Sequence, residues 1–189
     1  MTVNLVGLAA VATISVVGIL FRPVRIMLTA WNRTALPQLA AHLAAGRLEA
    51  FDRTVARGFV MAGLGSVALL VVLWVVWRPI DRHFLAGNYP DASLLLWPWA
   101  AASAIEAMGS TIATALQAAR DFKFLAYATV LSAPITILAT IIAVLWHGYT
   151  WTMYGVAVGN LVLLAVTVAR LRRARRKFAV SSSPGPASI

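Results

Sequence analysis

The chain has 189 residues, 61% of them hydrophobic and only 12% charged, with a mean hydropathy of +0.83. A water-soluble domain of this size cannot keep so much apolar surface covered, so the chain reads as an all-α integral membrane protein. The net charge of +10 does not indicate a nucleic-acid partner, because the positive residues sit between apolar runs or at their ends. The lack of cysteine excludes disulfides, a thiolate nucleophile and Cys-based metal sites.

A segment of about 20 apolar residues crosses the hydrocarbon core. Residues 3–20 meet that length and follow no secretory signal pattern with a small-residue cleavage site, so this first run is expected to be retained. Residues 21–45, FRPVRIMLTAWNRTALPQLAAHLAA, are too polar for a simple span and too apolar for a loop. At about 100° per residue, Arg22, Arg25, Thr29, Asn32 and Arg33 share a sector of about 100°. Met27, Leu28, Ala30, Trp31, Thr34 and Ala35 take most of the remainder. The segment is therefore a helix, expected over 21–43, with a cationic stripe. Two placements stay open: against lipid headgroups at the membrane surface, or against a water-filled cavity inside a bundle. In a cavity, guanidinium groups spaced along one helix suit a diphosphate, since each fork donates two parallel hydrogen bonds and stays charged.

Gly46 should end this helix, and Glu49 and Asp52 lie near the start of the next, where the helix dipole favours acids. Further spans are expected over 58–77, 92–116, 124–146 and 151–169. Five spans follow from hydropathy and the striped helix makes a sixth. Arg78 to Asp91 form a turn-rich connection with Pro79, Gly87, Asn88 and Pro90. Within 92–116, Glu106 lies near mid-span, where an isolated carboxylate costs about 2.5–3.5 kcal/mol, so it should face the interior, be protonated or pair with a cation. It is the candidate for ion or proton coupling, and equally a structural partner for a stripe arginine. Pro134 should kink its span or free a backbone carbonyl. Asn4 and Asn160 are expected to pack across helices, and Gly155 and Gly159 have the spacing of a weak close-packing motif. Residues 178–189 read as a disordered tail.

Basic residues cluster at Arg47, Arg53 and Arg57, at Arg120 and Lys123, and in the run from Arg170 to Lys177. The positive-inside rule places all three groups and the C-terminus in the cytoplasm. Trp74, Trp77, Trp97, Trp99, Trp146 and Trp151 lie at the opposite ends of the last four spans, as an outer aromatic belt would. His42, His83 and His147 are isolated, no pair has metal-ligand spacing, and there is no nucleophile elbow, P-loop or Asp-rich diphosphate site, so neither a cofactor nor catalysis is expected.

The run GILFRPVRIMLTAWNRTALPQLAAHLAAGRLEAFDR resembles the start of the C-terminal lobe of polysaccharide (O-antigen and teichoic-acid type) flippases of the multidrug/oligosaccharidyl-lipid/polysaccharide superfamily. The Pro37-Gln38-Leu39-Ala40 pattern leads there into a Gly-containing loop with both charges. RPIDRHFLAGNYPD is similar to the family's external Pro-to-Gly-x-x-Tyr stretch, with the spacing after Gly87 shortened by Asn88, and ALQAARDFKFLAY looks like its short internal turn between late helices. The resemblance covers residues 3–177. It implies one six-helix transmembrane lobe of a two-lobe transporter in the bacterial inner membrane, flipping undecaprenyl-diphosphate-linked oligosaccharide by alternating access. On that reading Arg22, Arg25, Thr29, Asn32 and Arg33 bind the lipid-linked substrate, Glu106 balances or couples a cation, and the lobe needs a second one as partner. It begins at Met1 where a first lobe would have ended, as expected of a truncated product, a split gene's second half or a dimerising lobe. The alternatives are a drug or cation antiporter lobe, which would favour an acid-lined aromatic cavity, and a non-transporting subunit whose stripe binds headgroups.

Overall fold

The computed structural model describes residues 2–85 and 92–181, and all regular structure among them is helical. The order is α1 (Thr2–Leu20), α2 (Arg22–Ala44), α3 (Leu48–Ile80), a π-helical turn (Asp81–Leu85), α4 (Ala92–Ala118), α5 (Phe122–His147), a 3-10 turn (Tyr149–Trp151) and α6 (Thr152–Ser181). Each expected span falls on one of these helices. Two helices outrun their spans: α3 begins ten residues before the expected 58, through Glu49, Asp52, Arg53 and Arg57, and α6 continues through the arginine run to Ser181. Hydropathy marks where a helix meets lipid, whereas the helix itself continues as long as its backbone bonds are made. The turn-rich connection expected over 78–91 is instead helical as far as Leu85, with Arg78 and Pro79 in the last turn of α3 and Asp81–Leu85 in the π-helical turn. Its remainder, 86–91, and the remainder of the expected tail, 182–189, lie outside the described residues.

Among the described residues, three helices are long and apolar enough to cross a membrane: α3, α5 and α6, over Leu48–His83, Phe122–His147 and Tyr149–Arg176. The chain bends by 48° between α1 and α2, and among the described residues Ala10–Leu20 and Arg22–Ala44 qualify together as one bent pair. The five spans expected from hydropathy are thus not all recovered, and α4 is the instructive case. It packs against every other helix. Its buried side is built from small residues such as Ala102, Ser103, Ala107, Thr111 and Thr114, which let neighbours approach, and the serine and threonines among them depress its hydropathy. A helix surrounded by protein has no need of a lipid-compatible surface.

Three apolar clusters string along α4. Leu95, Leu96 and Ala100 meet Val17 and Phe21 of α1 and its boundary with Leu70 and Leu73 of α3. Ala107 meets Leu28 and Ala62 at mid-height, and Ala115 meets Ala35, Leu39 and Phe51 at the arginine-rich end. Phe21, 1% exposed, lies at the bend and stacks on Trp99 with ring centroids 6.1 Å apart. Pro23 lacks the N–H that the first turn of α2 would leave unpaired anyway, so α2 restarts there without a side-chain cap. Through Pro134, α5 remains a single helix.

The turns at the arginine-rich end share one geometry. After α2, the Arg47 N–H bonds the His42 carbonyl and the Gly46 N–H that of Leu43, with Gly46 at φ +67°. After α4, the Asp121 N–H bonds the Leu116 carbonyl and the Arg120 N–H that of Gln117, with Arg120 at φ +58°. Both are Schellman endings, which call for a left-handed residue. Glycine takes that conformation freely, whereas a side chain there costs about 1–2 kcal/mol. Arg120→Gly is therefore expected to raise thermal stability in detergent, by about 1 kcal/mol, as measured by scanning fluorimetry.

Candidate functional site

Val24, Leu28, Ala35 and Leu39 form the buried side of α2, at the spacing of one helical face. The opposite face is left open, and it carries Arg22, Arg25, Thr29 and Arg33. These four, with Ile26 and Ala30, line a shallow cavity of about 360 Å³. Four of the five polar residues expected to share the stripe are therefore brought together. The fifth, Asn32, lies at the edge of the sector and turns inward, its Nδ2 donating to Ser110 Oγ of α4 at 2.6 Å. Its Oδ1 is buried without a hydrogen-bond partner among the described residues. The Thr29 hydroxyl donates to the Arg25 carbonyl at 2.8 Å, which leaves only its lone pairs for any ligand.

Arg25 reaches across to α4. Its Nη2 donates to Glu106 Oε1 at 2.6 Å, with the two side chains 64% and 45% exposed. The carboxylate thus adopts one of its expected states, paired with a cation. Four residues on, Ser110 repeats the α2–α4 link through Asn32, so two polar bonds stand one helical turn apart along α4.

Glu106 also belongs to a second cavity, of about 190 Å³, between α4, α5 and α6. Ser110, Thr129, Asn160 and Thr167 supply its other polar groups among mostly apolar walls. Thr129 and Thr167 spend their hydroxyl protons on Leu125 and on Leu163 and Leu164 of their own helices. Asn160 lines this cavity beside Glu106, a position that its place in the sequence does not reveal. The Arg25–Glu106 pair therefore joins the cationic face of α2 to a weakly polar pocket at the heart of the helix cluster. Chemically the first surface accepts anions, while the second offers one carboxylate already neutralised by Arg25.

At the arginine-rich end, Arg170 Nε bonds Asp121 Oδ2 at 2.6 Å and lies 5.1 Å from the Phe124 ring centroid, and Arg175 pairs with Asp52 at 2.5 Å. These pairs tie the extension of α6 to α3 and to the α4–α5 turn. Asp52 thus has a side-chain partner besides the helix dipole expected to favour it. Nothing in the local sequence pairs residues so far apart; only the gathering of charges at one end hints at it. No group of three His, Asp or Glu residues with metal-site geometry occurs among the described residues. No family model, curated protein or solved structure matches the chain.

Proposed function

We propose that the chain is one lobe of a flippase for lipid-linked oligosaccharide diphosphates in a bacterial inner membrane, with its arginine-rich ends and C-terminus cytoplasmic and all six helices crossing. The observation that carries this reading is the open cationic face of α2 held to Glu106 at 2.6 Å. The shortest helix has 19 residues, about 28 Å at 1.5 Å per residue, close to the thickness of the hydrocarbon core. A charged pair half open to its surroundings is costly against lipid tails and stable against water, a polar ligand or another protein. Three guanidiniums on one face match a diphosphate, and one bonded acid beside them leaves net positive charge to attract it. A second lobe, from another chain or another copy, closes the opposite wall of the cavity. That excess of arginine over acid favours an anionic cargo over the cation antiporter alternative.

Cysteine accessibility tests the aqueous wall, and the absence of native cysteine makes it clean. Single cysteines at Thr29 and Arg33 are expected to react with a membrane-impermeant maleimide at least about tenfold faster than cysteines at the buried Leu28 and Ala35. Equal rates on both faces would remove the cavity and leave a surface helix that binds headgroups.

A further inference from the structure

A third cavity lies at the opposite end of the molecule from the arginine-rich turns, between the end of α3 and the start of α4, with a volume of about 580 Å³. Its walls include three indoles, Trp74, Trp77 and Trp97, the first and last 69% and 64% exposed. Val75 and the buried Leu96 extend the apolar lining, and its polar groups come from Arg78 and Ser93. Arg78 is the one charged residue of the lining, and no ion pair engages it among the described residues. Asp81, the acid one turn further on, forms no ion pair with it among the described residues.

The chemistry of this lining is that of an amphiphile site. A guanidinium, a hydroxyl and indole N–H groups are all donors, suited to phosphate oxygens, and among the described residues no carboxylate pairs with the guanidinium. The larger, apolar part of the lining suits a hydrocarbon chain, and tryptophan is the side chain that favours the depth where headgroup meets acyl chain. A soluble anion would gain nothing from these apolar walls. We infer that this cavity binds an anionic phospholipid, its phosphate on Arg78 and an acyl chain between Trp74 and Trp97, in the leaflet at the tryptophan end. The inference needs only that the chain lies in a bilayer, and it is independent of the flippase reading.

Native mass spectrometry of the full chain in detergent, titrated with phosphatidylglycerol, tests it. The most tightly held lipid should weaken about tenfold in Arg78→Ala, the loss of one charge-assisted hydrogen bond. It should weaken similarly in Ser93→Trp, which keeps the charge and fills the cavity. Arg53→Ala, at the other end of α3, should bind as the wild type does, and phosphatidylcholine should bind several-fold more weakly. Wild-type retention by both Arg78→Ala and Ser93→Trp would overturn the proposal. So would equal loss in Arg53→Ala, equal affinity for phosphatidylcholine, or equally tight binding of free glycerol phosphate.

Discussion

Replacing Arg25 and Arg33 together by alanine is expected to lower export of sugar-linked lipid at least about a hundredfold, since each charge-assisted hydrogen bond to phosphate contributes roughly 1.5–3 kcal/mol. The readout is export in cells that depend on the chain, normalised to the amount of protein in the membrane. Full-rate export by the double variant would sink the site. A charge exchange separates binding from architecture. Arg25→Glu alone sets two carboxylates against each other where a 2.6 Å ion pair now stands, and both protein level and export should fall. Adding Glu106→Arg restores the pair with its ends reversed. Protein level is then expected to recover while export stays low, because the cation has moved from the open face of α2 to α4. Recovery of both would reduce the pair to a structural link between two helices.

Gly155→Ala is expected to be the most damaging glycine-to-alanine change among the described residues. A methyl group at Gly155 would meet the backbone of α5, with Thr140 N at 2.5 Å and Ala139 C at 2.8 Å. At Gly159 it would meet Thr136, with Cβ at 2.7 Å and Cα at 2.9 Å. Backbone cannot rotate aside, so α5 and α6 must separate along their seam. The cost should reach or pass the top of the roughly 1–3 kcal/mol typical of over-packing. α5 has little else to hold it, since Ala128 and Ser132 are its only buried side chains among the described residues. Gly109→Ala is the matched comparison. It is the same change within α4, but nothing lies within 4 Å of the added methyl, so the gain in helix propensity should leave stability equal or higher by up to about 1 kcal/mol. Thermal unfolding in one detergent measures both. Equal midpoints for the two variants would mean that the seam is not close-packed. The glycine spacing, a weak signal in the sequence, is here the contact surface of a helix pair.

Local chemistry in the sequence determined which residues are helical and where several helices stop. Apolar runs of span length, Pro23 at a helix start and Gly46 at a helix end act over a few residues, so they are readable without a partner. The open face of α2 was legible for the same reason, because a helix's periodicity fixes which side chains lie together whatever it packs against. Arg120 in a left-handed turn was not legible, since only the geometry required between α4 and α5 imposes that conformation on a residue that resists it.

Everything that needs two distant segments was decided by tertiary structure. The sequence left Glu106 three states, and its partner, Arg25, lies 81 residues away; packing α2 beside α4 selected the ion pair. The same packing turned Asn32 from the stripe to Ser110, tied Arg170 and Arg175 to Asp121 and Asp52, and set Arg78 among three indoles. It also made α4, which is not among the helices apolar enough to cross a membrane, the centre of the molecule. Hydropathy measures fitness for lipid, and a helix enclosed by its neighbours is selected for small residues and satisfied polar groups instead.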